Sequence, residues 1–339
     1  GVLYEYLLVA SNQAGSVVSE TRDFTTAVIY HVSDAVGNDA NDGSGWPAAL
    51  KTIAAAIALA KDGDTILVTN GTYSITAQLT LDKALNLVSV SGRALTGIRG
   101  NNNFRLLYID NPFARVSGFT FSQGRNKSGA QGGGFAIGPL GGIVEECRVT
   151  SCVSDWTYSG TAIHQSAGRV SRCLIDNNSF GFFQCGTVYL AGGLIENCVI
   201  ANNRMHYDGG GLYITNGIAR NCTIFENEST RNGCGVFRSG AGRLENCIVW
   251  GNIHRTDPTR VSRNLYGATT ETVVNCCTPE AVGSGTVTDE PRFVDDANGD
   301  FRQQASSPCI DAGLTALNTA DTDLGGSARV IGASIDIGA

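Results

Sequence analysis

The sequence predicts an all-β chain, a parallel β-helix (solenoid) of roughly eight or nine turns with a capping helix at its N-terminal end. Three observations carry that expectation. The segments Glu-Glu-Cys147-Arg-Val149, Ser-Arg-Cys173-Leu-Ile175, Glu-Asn-Cys198-Val-Ile200, Arg-Asn-Cys222-Thr-Ile224 and Glu-Asn-Cys247-Ile-Val249 recur at steps of 26, 25, 24 and 25 residues. Five residues after each Cys stands Cys152, Asn178, Asn203, Asn227 or Asn252, and Gly-containing runs ending at Gly134, Gly160, Gly186, Gly211 and Gly235 precede short apolar segments such as Leu212-Tyr213-Ile214. The apolar stretches are four to six residues of period two between Gly, Asn and Ser, whereas helical repeats would show a 3.6-residue period over ten or more positions.

In such a solenoid each turn lies about 4.8 Å above the last, so equivalent positions form columns. Each repeat Cys and the Val or Ile two residues on would point inward, and the Asn side chains would bond along the axis at a bend. Residues 28–63 read as an N-terminal cap. Within it, residues 48–60 place Leu50, Ile53, Ala54, Ile57 and Ala60 on one helical face and end at Asp62-Gly63, as a helix with a C′ glycine does. That helix would cover an open sheet edge. Residues 64–277 read as the β-helix, with less regular early strands at 64–68, 79–81, 85–90, 106–109 and 116–121. Residues 278–339, punctuated by Pro, Asp and Gly, read as a C-terminal wrapping or cap region.

The chain has 43 Gly, 7 Pro and 16% charged residues, a turn-rich composition without the periodicity of collagen. Its 24 Lys and Arg against 31 Asp and Glu give a net charge of −7 and a pI near 5.1, the wrong sign for a nucleic-acid partner. No apolar run approaches the roughly 20 residues of a membrane-spanning helix, so membrane insertion is not expected. Without an initiator Met or an apolar leader, the sequence reads as a mature or trimmed piece. Eleven Cys raise three readings: stacked thiols, scattered disulfides or a metal site. The columns favour thiols, because side chains leaving successive rungs in one direction hold their Cβ atoms further apart than the roughly 3.8 Å of a good bridge. No CxxC pair or Cys/His cluster has zinc-ligand spacing. Cys276, Cys277 and Cys309 stand outside the five-fold pattern.

The segments Tyr30-His-Val-Ser-Asp-Ala-Val-Gly-Asn-Asp-Ala-Asn-Asp-Gly43, Lys51-Thr-Ile53, Asp62-Gly-Asp-Thr-Ile-Leu-Val68 and Asn70-Gly-Thr-Tyr73 resemble the opening of bacterial right-handed parallel β-helix proteins of the pectate-lyase-like superfamily. The tail Glu290-Pro-Arg-Phe-Val-Asp295, Asn298-Gly-Asp-Phe301, Ser307-Pro-Cys-Ile-Asp-Ala-Gly313 and Asp336-Ile-Gly-Ala339 resembles the end of choice-of-anchor Q surface proteins. Together these resemblances imply a right-handed coil and a secreted or cell-surface bacterial location. In the anchor family the last motif continues with an aromatic and an acidic residue, so the chain looks cut near its boundary. Residues 1–27 resemble a fibronectin type III-like remnant, with Tyr4-Glu-Tyr-Leu-Leu-Val-Ala-Ser-Asn12 and Thr21-Arg-Asp-Phe-Thr-Thr26 as its last two strands. Two strands do not make that sandwich alone, so the hairpin is expected to rest on the helix or on a neighbour, and self-association through it is one reading.

Aligned by offset from the repeat Cys, the loops give Asp155, His206 and Arg255 at plus eight. Trp156, Phe182, Tyr207 and Arg231 stand at plus nine, and Phe183, Asp208, Asn232 and Asp257 at plus ten. An aromatic strip bordered by carboxylates, Arg and His suits a saccharide groove, since flat rings cover sugar C–H faces and charged groups read hydroxyls and uronate carboxylates. A lyase needs a base, a cation for the carboxylate and an acid for the leaving oxygen. His206 or Tyr207 would be base or acid, with Arg204 and Arg231 as neutralisers. A hydrolase would pair Asp208 with Asp257, two turns or about 9.6 Å apart, near the upper end for inverting enzymes. The Asp and Arg signatures of calcium-dependent pectate lyases and the clustered Asp of polygalacturonases are absent, and a structural role for the strip is the alternative. His164 reads as a packed or ladder-end residue, and His254 as surface or an extension of the groove. Asp34, Asn38, Asp39, Asn41 and Asp42, and Asp321, Asp323 and Asp336, offer oxygens for a structural Ca²⁺ or for Asx turns. The sequence therefore reads as an exported β-helix that binds an acidic polysaccharide along this face, with cleavage as lyase or hydrolase its leading enzyme reading and binding without turnover the alternative to it. The competing class is a non-catalytic adhesin, spacer or filament subunit.

Overall fold

The computed structural model describes residues 3–127, 129–154, 160–179, 186–257 and 264–339. It is an all-β, right-handed parallel β-helix, the hand that parallel crossovers adopt. Three parallel sheets run its length. Sheet 1 has ten strands, from Ile29–Val32 to Val273–Val274; sheet 2 has eight, from Gly71–Ser74 to Ile248–Trp250; sheet 3 has eight, from Leu79–Leu81 to Leu265–Tyr266. Most strands are three residues long because left-handed residues turn the chain twice per coil. Between sheets 1 and 2 these are Glu146, Arg172, Asn197, Asn221, Asn246 and Asn275; after sheet 2 they are Ser151, Asn177, Asn202, Glu226 and Gly251. Asn dominates because its short polar side chain tolerates positive φ better than most residues do.

Just inside the first corner lies the thiol column Cys147, Cys173, Cys198, Cys222 and Cys247, all fully buried. Asn275 makes the same corner before Cys276, which adds a sixth member that the sequence pattern left out. The ten described cysteines are free and buried. Their sulfurs serve the backbone: Cys198 Sγ donates to Glu196 O at 3.1 Å and accepts Cys173 N–H at 3.3 Å. At the second corner Asn178, Asn203, Asn227, Asn252 and Asn264 form a buried ladder, each Nδ2 donating to the next Oδ1 at 2.9–3.0 Å. The first four also donate to carbonyls, as Asn203 does to Ile175 O at 2.9 Å and Ala201 O at 3.0 Å. The polar groups of the ladder are thus satisfied by the coils above and below.

Several boundaries differ from the sequence reading. The helix is Ile53–Leu59, with Ile53 and Ala56 buried and Ala54 exposed. It starts late because Thr52 caps it, accepting from Ala55 N–H at 3.1 Å, and because Leu50 is drawn into a parallel bridge with Val32. Gly63 (φ 90°) is not its C′ residue, since the C-cap is Ala60. The stretch 116–121 is two strands, Arg115–Ser117 and Thr120–Ser122, parted by Gly118 in the left-handed region. Strands Ile29–Val32, Gly71–Ser74 and Thr96–Arg99 complete the early coils. The glycine marker mixes two columns. Gly160 and Gly186 belong with Gly132, Gly209 and Gly233 at positive φ, while Gly211 and Gly235 leave room for the ladder amides of Asn227 and Asn252.

The N-terminal segment forms the antiparallel pairs Val9–Asn12 with Gly15–Val18 and Leu3–Tyr6 with Arg22–Thr25. Residues 9–18 are exposed rather than covered by the helix. The C-terminal tail passes beside the corner between sheets 1 and 2: Asn246 Nδ2 donates to Leu314 O, Asn221 Nδ2 to Asn318 Oδ1, and Thr319 Oγ1 to Glu196 Oε2. Its Phe293 and Phe301 pack edge-on against Phe225, with centroids 5.1 and 5.6 Å away. Among the described residues no helix is long and apolar enough to cross a membrane.

Candidate functional site

Two surfaces gather chemistry-bearing side chains. The first is the stack of turns after sheet 2. Parallel bridges join Arg204 to Glu228, Glu228 to Ile253 and Ser229 to His254, so residues 204–208, 228–232 and 253–257 lie in register. Thr230 Oγ1 donates to His206 O, Arg255 N–H to Ser229 O at 2.8 Å, and Asn232 N–H to Asp208 Oδ1 at 2.9 Å. The Arg231 guanidinium lies over the Tyr207 ring, 4.1 Å from its centroid. Arg204 Nε and Arg255 Nε lie 3.4 and 3.5 Å from the same Glu228 Oε2. Solvated pairs of this kind add at most about 1 kcal/mol each, so they orient the cations more than they hold the fold.

Not every residue singled out in the sequence serves this surface. Asp208 organises the next turn through its backbone bond, and Asp257 is exposed. His254 is only 3% exposed and its Nδ1 accepts the Asp257 N–H at 3.0 Å, so it is neither surface nor groove. Asp155, Trp156, Phe182 and Phe183 lie outside the described residues. Among the described residues no three His, Cys, Asp or Glu converge as metal ligands. Asp39 instead accepts Lys51 N–H, Thr52 N–H and Thr52 Oγ1–H at 2.8–2.9 Å. Asp42 accepts Ser44 N–H, which lowers its pKa, and Asp323 accepts Ser327 N–H. Asp321 contributes its carbonyl to Arg329 N–H.

The second surface is the outer face of sheet 3. Strand register aligns Tyr108, Ala136, His164, Tyr189, Tyr213, Phe237 and Tyr266. From His164 onward the rings stack at centroid distances of 5.2, 5.1, 4.9 and 5.0 Å with interplanar angles of 8–22°. His164 therefore ends a ladder of rings, as the sequence suggested. Below it, beside Ala136, opens a cleft of about 270 Å³ that Arg105, Tyr108, Gly138 and Ser166 also line. The His164 pKa is pushed down to about 4, first by burial and then by the charge of Arg105. Its Nε2 is 3.2 Å from Ser166 Oγ, and its Nδ1 is buried with no hydrogen-bond partner among the described residues.

The loop offsets counted from the Cys column do not reach this second surface. Its signal lies in the short apolar segments themselves, whose middle residue is aromatic or His on most coils. Such a residue in a strand with both neighbours buried must face outward.

The family model described as "Protein of unknown function (DUF1565)" matches residues 35–268. No curated protein matches the chain. Among solved structures the chain is similar to pectate lyase Pel9A, at 15% identity and a TM-score of 0.44 over 93% of this chain and 96% of that one. It is also similar to a pectin methylesterase in complex with a hexasaccharide, at 17% identity and a TM-score of 0.38 over 75% and 79% of the two chains.

Proposed function

The chain belongs to the DUF1565 family, whose description assigns no activity, and we propose from its site that it binds an acidic polysaccharide along the turns at 204–208, 228–232 and 253–257. The observation that carries this reading is the cation strip. On a chain of net charge −7, Arg204, Arg231 and Arg255 occupy three adjacent turns, two of them sharing one carboxylate and the third seated on Tyr207. A repeating anion would meet one cation on each of three successive turns, staggered along the turn because register sets Arg204 against Glu228 and Ser229 against His254, and guanidinium is suited to carboxylates because it binds them in a bidentate fork. The half-buried Tyr207 would cover a sugar C–H face.

Turnover on this strip would be an elimination. One of His206 and Tyr207 would take the proton next to the uronate carboxylate, Arg204 or Arg231 would neutralise the carbanion charge, and the glycosidic C–O bond would break as the other of His206 and Tyr207 gives a proton to the leaving oxygen, which leaves an unsaturated sugar. Asp208 with Asp257 would be the carboxylate pair of a hydrolytic alternative. The tail's likeness to choice-of-anchor Q proteins and the hairpin's likeness to a fibronectin type III strand pair support a secreted or surface-attached bacterial protein. The exposed apolar side chains of the hairpin, Leu8 and Val17 among them, would serve contact with a second copy or a neighbouring domain, the adhesin or filament reading.

The test is a panel of uronate-containing and neutral polysaccharides, assayed for binding, unsaturated products and reducing ends. Retention of acidic members only, weakened at least tenfold by joint replacement of Arg204, Arg231 and Arg255 with Ala, is the expected result. Products that persist in His206→Ala would remove that residue from the chemistry. Equal retention of neutral members would overturn the reading.

A further inference from the structure

We propose that the break in the aromatic column at Ala136 is a binding slot for a ring that carries a carboxylate, with Arg105 as the partner of the carboxylate. The slot is distinct from the cation strip and does not rest on acidic-polysaccharide binding there. Its shape follows from register. Tyr108 and His164 flank Ala136 on the coils below and above, two rungs or about 9.6 Å apart, which leaves one ring position unfilled in a column that is otherwise stacked at about 5 Å from His164 to Tyr266. The cleft beside Ala136 measures about 270 Å³, below the roughly 300–1,000 Å³ of drug-sized pockets, so it suits a single ring. Gly138 lines it where Tyr108 and Asp110 press close: a Cβ there would come within 2.5 Å of Tyr108 Oη and Asp110 Oδ1, so a larger residue would displace the Tyr108 wall of the slot.

Its charge follows from Arg105. The guanidinium lies over the Tyr108 ring, 4.7 Å from the centroid. Among the described residues it donates only to neutral oxygens, Gln78 Oε1 at 3.0 Å and Gln131 O at 2.9 Å, and no carboxylate lies within ion-pair distance of it. Burial lowers its pKa, the mark of a cation partly stripped of water without a compensating anion. On the opposite wall the imidazole of His164 is neutral near pH 7 and so does not duplicate the charge, and the Ser166 hydroxyl, 3.2 Å from His164 Nε2, lines the cleft beside it for a ligand's polar edge. A ring between Tyr108 and His164 with its carboxylate on Arg105 meets each of these features. Both a uronic acid and an aromatic acid have that chemistry.

The experiment is calorimetric titration of the intact protein with glucuronate, galacturonate and benzoate, with glucose and phenol as neutral controls. The His164 imidazole resonances are followed in parallel. For so small a contact the expected dissociation constant is about 1 mM. Binding by the sugar acids alone identifies a uronosyl site, and binding by benzoate alone an aromatic-acid site. Ala136→Phe, which fills the break with the side chain its neighbours carry, is expected to fold as the parent does and to weaken binding at least tenfold; Arg105→Gln is expected to do the same. Neutral rings binding as well as acids, no acid binding at 20-fold excess over about 1 mM, or binding unchanged in Ala136→Phe would each overturn the proposal. Should Ala136→Phe fail to fold, Arg105→Gln and the His164 resonances decide it: acid binding unaltered by the first, with no shift in the second, contradicts the slot.

Discussion

In the coils before Cys147 the solenoid interior is filled by large side chains. Phe119 stands in the thiol position, and Phe119, Phe121 and Phe135 form a chain of rings 6.3 and 5.7 Å apart. In the coils after it the same two corners are filled by Cys and Asn, and the outer face of sheet 3 changes from Tyr108 and Ala136 to an unbroken stack of rings beginning at His164. The early coils close by shape, each apolar side chain fitted to its own neighbours. The later coils close by repetition, each side chain satisfied by its copy one rung away. The difference teaches that the regular half carries its order in columns, so a change at one rung is felt by the rungs on both sides. The slot at Ala136 lies where the two regimes meet.

The largest expected effect falls on the shape-packed half. Phe121→Ala removes the middle ring of three and should cost about 3–5 kcal/mol, read as a lower urea midpoint with an unchanged slope. The next belongs to the junction and depends on pH. His164 titrates at about 4 in the fold against 6.5 ordinarily, so between those values the unfolded chain binds a proton that the folded chain refuses. Its contribution is fully present above about pH 6.5 and is lost as pH falls toward 4, by on the order of 3 kcal/mol in all. His164→Tyr, which extends the stack with a ring that does not titrate there, should flatten that part of the stability profile.

Smaller again is Asn203→Ala in the ladder, which leaves Ile175 O and Ala201 O without their amide donor and Asn178 without its acceptor; about 2–3 kcal/mol should be lost. A double-mutant cycle with Asn227→Ala should show coupling, because the two share a bond at 2.9 Å. Cys198→Ala should cost least, about 1 kcal/mol, since only weak sulfur bonds and little volume are lost. If Asn203→Ala proved as mild as Cys198→Ala, the division between shape and repetition would fail.

The regular half was legible in the sequence because columns repeat letters. A Cys every 24 to 26 residues with an Asn five later fixes the coil length, both corners and the inward direction of Val149, Ile175 and Ile200. The early coils repeat nothing but hydrophobicity, so Gly118 is hidden inside what reads as one strand, and the strands at Gly71–Ser74 and Thr96–Arg99 carry no repeat marker. The helix boundary was misplaced because Leu50 has a helical spacing but answers to Val32 across a bridge, a contact that local periodicity does not encode. The strip of Arg204, Arg231 and Arg255 was legible through the same Cys offsets. The slot was not, because what defines it is a missing ring at Ala136 between two coils, visible only once sheet 3 is in register.

The central claim, that the stacked turns after sheet 2 hold an acidic chain, is tested most directly by amide hydrogen exchange of the protein with and without polygalacturonate at low salt. Binding along the cation strip predicts slowed exchange at residues 204–208, 228–232 and 253–257, with sheet 1 unchanged, and loss of that protection when salt is raised from about 0.05 to about 0.5 M as screening sets in. Protection confined to sheet 1 or to the C-terminal tail, or no change at any salt concentration, would contradict it.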